Sequence, residues 1–324
     1  MDHGELCRQL AEEVQAALTA SGGVAEYSLG LREVLSARGG ILSKSPRLRW
    51  AGFVLGTCES ASSDTCNHVL PAGAALEILA AALELFDDLE DYDSRQFKTR
   101  RERALATNVA YGLVMASQLC LLRLRHHQKA AEKLPIISQL FLETAVRMGG
   151  GQQLDLLHEG CVNTTQDECL AIASLKSAEL VKCAFKIGAI LGTDDEHLIE
   201  LYTQFGWHLG MFAQIVNDIE GIPSGRTAKS DVSRLKATLP IAFWLSGEGA
   251  ATPRDSKHLP LSKAEEARVR GEIRRSGALH YAWVIADMHR ERAKEILLEL
   301  DNFRPASSIL GSFVEPIEPG SVIT

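Results

Sequence analysis

Long proline-poor stretches with apolar residues at helical spacing leave this chain few ways to fold. Residues 6–20, 72–91, 104–125, 165–191, 195–220 and 235–245 mix Ala, Leu, Glu and Lys so that apolar positions recur every three to four residues. Strand-like alternation is almost absent. With ten prolines in 324 residues, the spacing predicts an all-α chain of roughly ten to thirteen helices. Breaks are expected at 21–23, 39–40, 43–46, 149–151, 221–225, 247–253 and 304–308, where Gly, Pro and Ser gather. Thr165, Asp194 and Ser262 are the expected helix caps. No break is long enough for a linker, which predicts a single domain over 1–301 followed by a loose tail over 302–324.

Apolar residues make up 46% of the chain, ample for a sizeable core. The formal charge is −8 and no basic block is long enough to track nucleic acid, so no nucleic-acid partner is expected. Seven scattered cysteines without a Cys-x-x-Cys pair read as reduced thiols. The start, Met1-Asp2-His3-Gly4-Glu5, has no basic leader or apolar signal core, and the end has no lipidation box, so a cytoplasmic location is expected. The longest apolar run, 72–86, is interrupted by Glu77 and Glu84 and reads as a buried helix too short for stable membrane insertion.

Chemistry concentrates in two acidic clusters, each closing an apolar helical run: Phe86-Asp87-Asp88-Leu89-Glu90-Asp91, and Gln214-Ile215-Val216-Asn217-Asp218-Ile219-Glu220. In a helix Asp87 and Asp91 share one face, as do Gln214 and Asp218. Oxygen-only faces of this kind suit Mg²⁺, which keeps waters and bridges to a substrate phosphate. An isolated acidic run is more often solvated helix surface. Asp155 and His158 form an Asp-x-x-His pair, but no repeated Glu-x-x-His partner completes a bundle metal site. His126, His127, His197 and His208 read as surface or satisfied core groups; Trp207, Met211 and Phe212 read as core or as a cavity-lining face.

Gly151-Gln152-Gln153-Leu154-Asp155-Leu156 and Lys176-Ser177 lie between the acidic clusters; Gly225-Arg226-Thr227-Ala228-Lys229-Ser230-Asp231 and Lys236-Ala237-Thr238-Leu239-Pro240 follow the second. In that order the set resembles the trans-isoprenyl diphosphate synthase, or polyprenyl synthetase, family over about residues 40–300. The resemblance implies an all-α bundle with a central cavity, usually a homodimer, that uses Mg²⁺, expected as three ions, to ionise an allylic prenyl diphosphate. It assigns metal binding to Asp87, Asp88, Asp91, Asn217 and Asp218. Diphosphate or substrate contacts fall to Arg49, Lys176, Gln214, Arg226 and Lys229. An Asn amide oxygen still coordinates a hard cation, and Arg226 grips phosphate in place of lysine. Ala82, Leu83 and Phe86 would border the prenyl pocket, and the small residues there favour a farnesyl-sized or longer chain.

The residues that serve the second substrate, isopentenyl diphosphate, look thinned. Lys44-Ser45-Pro46-Arg47-Leu48-Arg49-Trp50 keeps Arg47 and Arg49 but has proline at the lysine position. Ala80 stands at the family's histidine, and Gln96 and Phe97 stand where paired arginines belong, with Arg95 or Arg100 and Arg101 as possible substitutes. Gly221 ends the second metal motif, leaving Glu220 or Asp231 to complete it. These departures predict a terpene-synthase-like enzyme that quenches its carbocation by cyclisation or water. The alternatives are chain elongation with isopentenyl diphosphate, prenyl transfer to another acceptor, and a non-catalytic subunit of a synthase.

Overall fold

The computed structural model describes residues 3–19, 23–62, 66–90, 97–222, 231–247, 259–303 and 308–314. Among them there is no strand. The helices, in chain order, are α1 (His3–Leu18), α2 (Ala25–Leu35), α3 (Arg49–Ala61), α4 (Leu70–Glu90), α5 (Arg100–Leu121), α6 (Gln128–Ala131), α7 (Leu134–His158), α8 (Gln166–Ala173), α9 (Glu179–Gly192), α10 (Glu196–Gly221), α11 (Asp231–Arg234), α12 (Leu239–Ser246), α13 (Lys263–Arg275), α14 (Ala278–Phe303) and α15 (Ser308–Ser312). The all-α expectation holds.

Contacts group the chain into two compact units. The first comprises Met1–Leu142, Cys183–Thr203 and Phe303–Ile309; the second comprises Glu143–Lys182, Gln204–Asn302 and Leu310–Thr324. In the first, α4 packs against α1, α3 and α5. Its run of Ala and Leu favours helix, and Ala72, Ala74, Ala75, Leu76 and Ile78 are all completely buried. With the residues that precede it, this helix spans Asn67–Glu90, longer than the 72–86 run read from sequence and long enough to cross a membrane by composition, yet 72% of its apolar window is buried inside the fold. Arg100–His126 meets the same length test with 44% buried. In the second unit, Met211, Phe212, Ile215 and Ile219 of α10 pack with Ala178, Leu239, Ala282 and Ala286.

Thr99, Thr165 and Ser262 each close a reciprocal capping box with a glutamate three residues on. Asp194 is not the cap of α10. Asp195 accepts from the backbone N–H groups of His197 and Leu198, while Asp194 pairs with Lys133 at 2.6 Å.

Two further expectations give way. The glycine triplet at 149–151 does not interrupt α7, which runs through it from Leu134 to His158. A Cβ on Gly151 would lie 2.5 Å from the backbone N of Lys176, so this glycine serves a close approach between backbones. Part of the expected tail is packed: Leu310 and Val314 are buried.

Candidate active site

The first acidic motif stands at the end of α4. Asp87 and Asp88 are half-buried there, as are Leu83 and Phe86, while Ala82 is fully buried; Asp91 lies outside the described residues. Arg103 of α5 donates to the carbonyl of Leu89 at 2.8 Å, which ties α5 to this end of α4. Arg100 and Arg101 begin α5 and are exposed, and Phe97 is half-buried, whereas Arg95 and Gln96 fall outside the described residues.

Arg49 opens α3 and is half-buried. Burial pushes its guanidinium down, while the carboxylates of Glu84 and Glu77 hold it up. Glu77 also accepts a hydrogen bond from the backbone N–H of Ala51 at 3.0 Å, so a glutamate from α4 satisfies the uncapped start of α3. Burial raises Glu77 to about 7. Its role was missed from sequence, although a charge inside an apolar helical run was the available signal.

The second unit gathers the other motifs. Lys176 Nζ lies 2.6 Å from Asp155 Oδ2, so the lysine and the aspartate of the Gln-Gln-Leu-Asp string form one partly buried ion pair. His158 Nδ1 is 3.1 Å from Thr164 Oγ1. Lys176 sits in a single π turn, Ser174–Ala178, between α8 and α9. Sequence periodicity gives no sign of such a turn.

Gln214 donates to Asp218 Oδ1 at 2.8 Å, the one-turn pairing expected on α10. Asp218 is buried, while Asn217 is exposed. Burial, aided by the negative charges of Asp231 and Asp155, raises the Asp218 carboxyl to about 8; Gln214 and Lys176 act the other way. Asp231 begins α11, and a Cβ on Gly221 would lie 2.4 Å from its Oδ2. The glycine that shortens the second motif therefore leaves room for a carboxylate from another helix. Arg234, three residues on, fixes α11 to Glu159 through a 2.8 Å ion pair. Arg226 and Lys229 lie outside the described residues.

Among the described residues no three His, Cys, Asp or Glu side chains gather into one metal-holding group. The donor set still fits Mg²⁺. It consists of oxygen ligands, and a buried carboxyl beside a second carboxylate gains most from a hard cation.

Residues 41–271 match the profile of the polyprenyl synthetase family. The geranylgeranyl diphosphate synthase of Saccharolobus solfataricus is 28% identical over 253 residues, covering 71% of this chain and 73% of that protein. That of Mycobacterium tuberculosis is 29% identical over 224 residues, covering 64% and 61%. The geranylfarnesyl diphosphate synthase of Aeropyrum pernix is 27% identical over 176 residues, covering 53% and 54%. A polyprenyl synthase from Caulobacter crescentus CB15, solved with calcium and isoprenyl diphosphate, superposes with a TM-score of 0.74 at 23% identity, covering 97% of each chain. The geranylgeranyl pyrophosphate synthetase of Geoglobus acetivorans gives 0.76 at 18% identity, covering 97% and 99%. The solved structures establish the fold. The relatives are named as prenyl diphosphate synthases, which supports the elongating alternative better than the cyclising reading drawn from the thinned basic residues. By motif order, fold and matched length, this chain belongs to the polyprenyl synthetase family of prenyltransferases.

Proposed function

We propose that the chain is an elongating prenyl diphosphate synthase that joins isopentenyl diphosphate to a farnesyl-sized or longer allylic diphosphate. The observation that carries this reading is the family profile over residues 41–271, together with relatives that share 71% of the chain and are named for chain-elongated products.

Lys176 supplies a cation to the allylic diphosphate, with Asp155 holding the ammonium until substrate arrives. Gln214 keeps Asp218 oriented by its amide hydrogen bond. Asp87, Asp88, Asp91, Asn217 and Asp218 would hold Mg²⁺, expected as three ions, and Asp231 fills the gap left at Gly221. When bound, the metal neutralises charge on the leaving diphosphate. The allylic carbon–oxygen bond breaks to give a carbocation and free diphosphate. The double bond of isopentenyl diphosphate then forms the new carbon–carbon bond, and a proton is lost. Arg49 and Arg47, with Arg100 and Arg101, are the cations available to the second diphosphate. Of the residues expected to border the prenyl pocket, Ala82 and Leu83 are not aromatic, and Phe86 is.

Incubation with Mg²⁺ and farnesyl or geranylgeranyl diphosphate, with and without isopentenyl diphosphate, tests this reading by mass spectrometry. Longer diphosphates formed only with isopentenyl diphosphate are expected. Cyclic or hydroxylated products formed without it would restore the cyclising alternative.

The working unit we infer is a homodimer. Leu105, Tyr111, Met115 and Leu119 of α5, and Leu122 just after it, form an exposed apolar stripe on one helix side. A second copy offering the same stripe suits a two-fold contact. Light scattering should give twice the chain mass, and Leu119→Arg should give the monomer.

A further inference from the structure

The turn that carries Lys176 is held from a side that neither acidic motif explains. Between α8 and α9, Ser174–Ala178 winds as one π turn, a rare local widening of the helix. Relaxing such a turn into regular α-helix removes one residue of winding, which rotates the side chains beyond it by about 100°. The direction of Lys176 therefore depends on whatever keeps the turn open. Gly151 of α7 packs against its backbone at Leu175 and Lys176. On α10, the indole N–H of Trp207 donates to Ser174 Oγ at 3.0 Å. Ser174 starts the turn, two residues before Lys176.

The indole is itself fixed. It meets the rings of His208 and His289 edge-on, with centroids 4.9 and 5.3 Å away and planes at 78° and 68°. Those two imidazoles face each other Nδ1 to Nδ1 at 3.0 Å, one donating and the other accepting. The pair joins α10 to α14 as an uncharged support for the indole.

We propose that Trp207 is a positioning residue for Lys176: its hydrogen bond to Ser174 sets the π turn from which the ammonium meets the allylic diphosphate. This rests on the reading of Lys176 as a diphosphate-binding group. Nothing about the acidic motifs requires a tryptophan here.

Full-length Trp207→Phe, Ser174→Ala and Lys176→Met proteins, titrated with inorganic diphosphate in Mg²⁺ by calorimetry, test the proposal. Phenylalanine keeps a six-membered ring beside the two histidines and loses the donor with the smaller ring of the indole, which is why Ser174→Ala, which removes only the acceptor, is tested beside it. Trp207→Phe and Ser174→Ala should each weaken diphosphate binding by about fivefold, the size of one lost hydrogen bond. Their thermal midpoints should stay within about 4 °C of the parent. The Trp207→Phe/Ser174→Ala double variant should match either single, because both remove the same bond. In a Lys176→Met background, Trp207→Phe should add nothing. The proposal is overturned if Trp207→Phe binds diphosphate normally while Lys176→Met does not, or if Trp207→Phe costs the same fivefold without Lys176. If Lys176→Met itself binds normally, the underlying assignment of Lys176 fails, and the positioning role falls with it.

Discussion

Gly221 and Asp231 are a fitted pair: a side-chain carbon on the glycine would lie 2.4 Å from Oδ2 of the aspartate. Gly221→Ala therefore has to push the carboxylate aside. An aspartate side chain yields readily, so stability should change by about 1 kcal/mol or less. The Mg²⁺ concentration for half-maximal diphosphate release should rise about tenfold, as when a group supporting a metal site is displaced. A metal titration in which parent and variant coincide would remove Asp231 from the metal patch.

Asp218 carries the cost of burial without a cation. Asp218→Asn should raise the stability of the metal-free protein by about 1–3 kcal/mol, because an amide is cheaper to bury than a carboxylate beside Asp231 and Asp155. The same variant should lose the stabilisation that Mg²⁺ with inorganic diphosphate gives the parent. Calorimetric scans with and without these additions read both effects, and equal stabilisation of the two proteins would contradict a metal-holding role.

The Lys176–Asp155 pair is only partly screened, with side-chain exposures of 26% and 11%. Asp155→Asn should lower stability by about 1–2 kcal/mol in urea unfolding. Lys176→Met should cost less in that background than alone, because the partner is already gone. Additive losses would mean that the two side chains do not depend on each other.

The facing histidines predict acid sensitivity. Burial, then the charges of His289 and Arg292, hold His208 down to about 4 against a weaker upward pull from Glu295; burial also lowers His289. Trp207 adds a ring but no charge. The fold holds both imidazoles toward the neutral form, whereas the unfolded chain takes up protons on them below about pH 6.5. His208 therefore contributes fully above that pH and loses its contribution as pH falls from about 6.5 toward 4, with His289 acting in the same direction. Replacing both with leucine should flatten the decline in urea midpoint between pH 6.5 and 5, and a slope as steep as the parent's would sink the assignment.

What sequence made legible here was what a single helix can encode. Apolar spacing located α4 and α10, and the i to i+4 rule put Gln214 beside Asp218. The caps at Thr165 and Ser262 were readable because a capping box is closed by residues three apart. Features that depend on distant partners were not. Sequence left Glu220 and Asp231 as alternatives for the end of the second motif, and only the fold brings Asp231 of another helix against Gly221; the turn under Lys176 is set by Gly151 and Trp207. The thinned basic residues suggested cyclisation because each was judged by identity at one position. Arg49, by contrast, is held among Glu77 and Glu84 of α4, a setting that no short motif spells out.

The glycine triplet of α7 also offers a route to a hardier protein. Gly149 and Gly150 are exposed, with no atom near enough to meet an added Cβ, whereas Gly151 is pressed against Lys176. Alanine at the first two positions should add up to about 1 kcal/mol each through helix propensity, while alanine at the third should destabilise the fold. Thermal denaturation of the three single variants would rank them. Three identical neighbours thus differ in tolerance: two can be stiffened at no cost to packing, and one fixes how closely two backbones can approach.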